Sequence, residues 1–165
     1  MLLEYLTLHG LFFGFVVTGY LLLVMVSFNP RVWGYQDYSN EIKAKVPPQT
    51  KRERRVAIMI SVPFFLIMIG FPVYSLMMLK TQLGGELSFI TAFIHLLTLF
   101  FFGTIGDLVI LDWIIISKIT PRFVIIQGTD KEDYKNFSHH YRGHALAALP
   151  LIILCVIIAV IVSQF

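Results

Sequence analysis

The chain has 165 residues, 57% of them hydrophobic, and a formal net charge of +3. Its mean hydropathy of +0.78 sets it apart from soluble globular domains, in which about 45–50% of residues are apolar. A single cysteine, Cys155, excludes an internal disulfide and a cysteine-rich metal site, and the basic residues flank apolar runs, which points to a membrane surface and not to nucleic acid.

A membrane-crossing helix needs about 20 mostly apolar residues, and four stretches have that length. The first is predicted over 5–28 and stops at Asn29-Pro30. It lacks a basic leader and a small-residue cleavage site, so it reads as a retained span and not as a signal peptide. Spans over 56–79, with Pro63 and Pro72 inside, over 87–117 and over 145–165 follow. Backbone in hydrocarbon must satisfy its own hydrogen bonds, so the expected fold is an all-α bundle of four transmembrane helices, a single domain over 1–165.

The loops 29–55 and 118–144 hold 12 of the 13 lysines and arginines, and only Lys80 lies elsewhere. The positive-inside rule therefore predicts that both loops are cytoplasmic and both termini outside, in a plasma membrane. Trp33, Tyr35, Tyr38 and Trp113 fall where an aromatic belt at the inner interface is expected. The run KRERR at 51–55 suits anionic headgroups of membrane lipids as partners.

Within the third span, GDLVILDW places Asp107 and Asp112 in an otherwise apolar run. At 1.5 Å per residue from Leu87, Asp107 lies after about 30 Å, near the inner edge of the hydrocarbon. Five residues are about 140° of a regular helix, so the two carboxylates are expected to face different neighbours unless GTIGD distorts the helix. Gly103 and Gly106 just before them permit a close helix approach.

The segment before the last span reads GTDKEDYKNFSHHYRGH. Thr129 and Glu132 have capping-box spacing, and Tyr134, Phe137, Tyr141 and His144 recur at helical spacing. An amphipathic helix on the inner surface, bending near Gly143 into the last span, is the expectation.

Ionisable groups at this depth need partners. The predicted partners form a polar cluster of Asp107, Asp112, Arg122, His140, Arg142 and His144. In that pocket Arg122 and Arg142 would hold an anionic group or lipid headgroup, and Asp107 or a histidine would carry protons. His140 and His144, four apart on one helix face, with Asp112 have the spacing of a metal site for zinc or iron, to which His139 could add a ligand. His9 and His95, in the outer halves of the first and third spans, could ligate a haem between parallel helices. Alternatively, Thr91 and Thr98 could satisfy the His95 ring by hydrogen bonding.

Three function classes follow. The leading one is a multi-pass protein that binds or transports a small anionic or headgroup ligand. The second is a membrane-embedded enzyme with a His/Asp or metal site. The third is an accessory subunit whose cluster only locks helices together. The chain contains no P-loop, G-x-S-x-G, HExxH or C-x-x-C motif. Four helices leave little room for a path between them, so transport would call for a homo-oligomer or a partner subunit.

Overall fold

The computed structural model describes residues 2–164. Among them the chain is helical, with no strand: α1 (Leu2–Ser27), the short α2 (Pro30–Trp33) and α3 (Asn40–Lys45), α4 (Lys51–Gln82), α5 (Phe89–Ile105), a π-helix (Gly106–Ile119), one 3₁₀ turn (Lys131–Tyr134) and α6 (Phe137–Gln164). Four helical stretches are long and apolar enough to cross a membrane: Leu2–Ser27, Lys51–Gln82, Phe89–Ile119 and Lys131–Gln164. This is the composition and architecture of a membrane protein.

Helices α1 and α5 form the central pair, and glycine sets their separation. A Cβ at Gly14 would stand 2.8 Å from the Phe102 carbonyl oxygen, and one at Gly106 would strike Thr18 Oγ1. The missing side chains let the two backbones nearly touch, as small residues do between helices in membranes. Phe13 then seats against Phe71 and edge-on to Phe100. Leu76, Leu79, Leu96, Leu99 and Cys155 complete a buried apolar core with Phe13.

Helix α4 begins with a capping box, Thr50 with Glu53, and passes both prolines without ending. It starts a turn before the predicted apolar edge because the basic residues and Glu53 continue the helix beyond the apolar region. Its outward face exposes Met59, Phe65, Leu66 and Tyr74, as suits a surface facing lipid. Gly84 and Gly85, at φ 85° and 94°, make the left-handed turn into α5 that other residues adopt only with strain.

The expected amphipathic helix over 129–144 is not a separate element. Asp133, not Glu132, closes the turn by accepting from the Asp130 amide at 3.0 Å, and α6 starts at Phe137 and runs through Gly143 without a break. Tyr134 is drawn inward instead of lying at an interface. Its hydroxyl accepts from the Ile126 amide at 2.9 Å, and a buried polar atom with a fixed backbone partner holds the chain in a tight turn.

Only the fold reveals that the two basic loops form one cap. Tyr38, Ile42, Val46, Val124, Ile126 and Tyr134 make a second buried apolar cluster across them. Tyr38 Oη donates to the Val124 carbonyl at 3.0 Å, and Lys45 pairs with Asp133 at 2.5 Å. Arg31 grips both Glu53 carboxylate oxygens, at 2.7 and 3.2 Å, and both Pro47 and Pro48 carbonyls, each at 3.0 Å. This bidentate fork fixes α2 to the start of α4.

Candidate functional site: an acid and histidine cleft beneath the cap

The last turns of the third span wind as a π-helix, whose hydrogen bonds run from residue i to i+5. The Thr120 amide bonds the Ile115 carbonyl at 2.8 Å in this pattern, and Ser117 Oγ donates to the Asp112 carbonyl at 2.8 Å over the same interval. Five residues therefore return the chain to nearly the same side. Asp107 and Asp112, divergent on a regular helix, both face one cleft.

That cleft has a volume of about 600 Å³ and is walled by α1, the cap, α4, the π-helix and the start of α6. Asp112 is its centre. One carboxylate oxygen lies 3.1 Å from His140 Nδ1 and the other 3.0 Å from His144 Nε2. His144 Nε2 also lies 3.8 Å from Asp107 Oδ2. The side chains of Asp112, His140 and His144 are 14%, 11% and 20% exposed, Asp107 31%, so the contacts are shielded from water without being sealed.

An ionised Asp112 faces both rings, and as acceptor it favours the tautomers that carry a proton on His140 Nδ1 and on His144 Nε2. In those tautomers the proton-accepting atoms are His140 Nε2 and His144 Nδ1. A carboxylate that orients an imidazole and supports its protonated form is the arrangement acid–base chemistry requires.

Residues outside the predicted cluster complete the walls. Asp37 reaches the cleft from the loop after α2, and desolvation by the surrounding protein, then the Asp112 carboxylate, push its pKa above the ordinary carboxylate value. His139 also lines it, its Nε2 bonded to the Asp37 carbonyl oxygen at 2.9 Å. Ser61 and Tyr20 add hydroxyls, with Tyr20 held by the Ile60 carbonyl. Asp37 stands in YQDYSN, where no periodicity marks it for a site 70 residues further on.

Two predicted members lie elsewhere. Arg122 and Arg142 are exposed, and neither lines the cleft. Because α6 continues straight through Gly143, His140 and His144 face the π-helix while Arg142 points away. No lysine or arginine lines this cleft, whereas three carboxylates do. The expected anion-holding pair is thus absent from it.

His140, His144 and Asp112 come together. They meet as ion pairs, one of them also a hydrogen bond, and among the described residues no group of three or more His, Cys, Asp and Glu is arranged to hold a metal ion. His9 and His95 converge too, but on a serine. Ser75 Oγ lies 2.7 Å from His9 Nδ1 and 2.8 Å from His95 Nε2. With Ser75 between the rings there is no room for a macrocycle, so these residues do not fit a haem. Thr91 and Thr98 bond Ser88 and the Ile94 carbonyl instead of the His95 ring. Tyr5 stacks on His9 at 3.8 Å and donates to the Ser75 carbonyl at 3.1 Å. This second polar group ties α1, α4 and α5 together far from the acid cleft.

Compared with protein families, with curated proteins and with solved structures, the chain matches none.

Proposed function

We propose that this protein is a multi-pass membrane protein that binds a polar headgroup in the acid and histidine cleft and exchanges protons with it. The observation that carries this reading is the Asp112 carboxylate shared by His140 and His144, with Asp107 beside the same imidazole. Three carboxylates without a lysine or arginine in the walls suit a group that is cationic or donates hydrogen bonds, such as an amine. An anion would meet like charge.

In this reading Asp107 and Asp37 attract the donor group, and His144 Nδ1 or His140 Nε2 takes or returns a proton while Asp112 stabilises the imidazolium. The same chemistry serves an acid–base enzyme acting on the headgroup. The asymmetry of basic residues between loops supports a cytoplasmic cleft in the plasma membrane, with lipids against the exposed faces of α4 and α6.

The test is thermal unfolding of the detergent-purified protein against ethanolamine and, separately, glycerol 3-phosphate. Ethanolamine is expected to raise Tm saturably, and Asp112→Asn to abolish the rise. Stabilisation by the phosphate alone, unaffected by Asp112→Asn, overturns the reading.

A second reading is favoured by one observation: the same Asp112 contacts bind the π-helix to α6. As a pure helix lock the cluster would give stability and no ligand response, and the titration above separates the two.

A further inference from the structure

The acid cleft does not end at its polar walls. A second depression of about 350 Å³ follows the seam between α5 and α6, and His144 and Ala147 line both. Beyond those two residues its walls are apolar apart from Thr104, with Leu97 and Phe101 on α5 and Ala148 and Ile152 on α6. Phe101, Ala148 and Ile152 are exposed, so the groove opens along the outside of the bundle.

Its direction matters. From His144 to Ile152 on α6, and from Ile105 back to Leu97 on α5, the helices advance about 12 Å each at 1.5 Å per residue. Both run from the cap end towards the middle of the span. A headgroup held beside His144 would therefore have an apolar trough leading from it into the hydrocarbon, the orientation a membrane amphiphile already has.

From this continuity we infer that the ligand is a long-chain amphiphile with an amine head, its head in the acid cleft and its alkyl chain along the α5–α6 groove. The inference rests on the proposed headgroup reading and adds the apolar half of the ligand. His144 is the junction: it touches Asp107 and Asp112 on one side and the start of the groove on the other. Charge complementarity selects the head, and the area removed from water or from disordered lipid along the groove selects the tail.

The experiment compares binding of ethanolamine and dodecylamine to the full-length protein in detergent, read by tryptophan fluorescence, because Trp33 lines the head cleft. The same titrations are run on Ala148→Phe, which fills the groove, and on Thr104→Leu as a milder second variant. Tm without ligand shows whether each variant has folded. In the unsubstituted protein dodecylamine is expected to bind at least tenfold tighter than ethanolamine. Ala148→Phe should erase that advantage and leave ethanolamine binding unchanged. If ethanolamine binds but the tail brings no gain, or the gain survives both groove variants, the tail site is overturned and the headgroup reading stands. If neither amine binds, the headgroup reading fails and the tail site with it.

Discussion

Asp107 and Asp112 face the same cleft although five residues separate them, because the segment that carries both is wound as a π-helix. An α-helical stretch would have turned one of them towards a different neighbour. The distortion sits at the only place in the third span with carboxylates, and π-helical turns are frequent at functional sites.

Asp112 is expected to hold most of the coupling energy in this group. Asp112→Ala strands two partly buried imidazoles and should destabilise by about 1–3 kcal/mol, the cost of leaving shielded polar groups without their partner. Asp107→Ala should cost less, since its nearest imidazole contact is at 3.8 Å and it is the more exposed carboxylate. A double-mutant cycle of Asp112→Ala with His144→Ala, followed by reversible unfolding in mixed micelles, should show coupling of about 0.5–3 kcal/mol. Additive effects would remove the shared-carboxylate arrangement.

Ser75 joins His9 on α1 to His95 on α5 from the weakly packed α4. His95 is fully buried, and its other ring nitrogen, Nδ1, has no partner. Ser75→Ala therefore leaves both nitrogens of that ring unsatisfied and is expected to cost about 1–3 kcal/mol. Ser75→Thr, which keeps the hydroxyl, should recover part of the loss in the same unfolding assay. Equal stability of all three proteins would show that the serine bridges nothing.

The close approach of α1 and α5 gives a contrast between glycines. Gly14→Ala drives a methyl into the Phe102 carbonyl, a backbone atom that cannot swing aside, and should destabilise by about 1–3 kcal/mol through overpacking. Gly70→Ala meets nothing within 4 Å and should be neutral or gain about 0.5–1 kcal/mol from its helix preference. Midpoints from the two variants, measured side by side, decide it.

Asp37 predicts a pH dependence. Its pKa is raised by desolvation first and by the Asp112 carboxylate second, against smaller opposing effects of Lys43, His140 and His139. A carboxyl with a raised folded-state pKa favours folding when protonated. Its contribution is fully present below the unfolded-state value and is lost as pH rises through the folded-state one. Asp37→Asn, neutral throughout, should raise Tm at neutral pH and flatten the fall between acid and neutral pH. Asp112→Asn should also lower the Asp37 titration midpoint, observable by infrared or NMR titration.

The helices themselves were legible because composition and run length decide them. Four apolar stretches needed a bilayer-like solvent, and their ends fell within a few residues of the predicted ones for α1 and for Phe89–Ile119. SHHYRGH is helical as expected, but α6 runs from Phe137 into the last span as one helix without the expected bend near Gly143, because helical periodicity carries no signal for where a helix bends. Asp107, Asp112, His140 and His144 could be picked out because charge and imidazole stand out against hydrocarbon.

Tertiary structure alone decided which of those groups meet. Arg122 and Arg142 looked equivalent to the histidines in sequence, but Arg122 lies exposed in the turn after the π-helix, and helix phase, set by the unbroken passage of α6 through Gly143, leaves Arg142 outside the cleft. Asp37 carried no local signal, and Tyr38, expected in an interfacial aromatic belt, is buried in the cap instead, because their partners lie 75 and 86 residues away. Local sequence sets solvent and secondary structure, whereas side-chain partners follow from packing between segments that share no pattern. In this protein the first defines a membrane bundle, and the second builds its acid cleft.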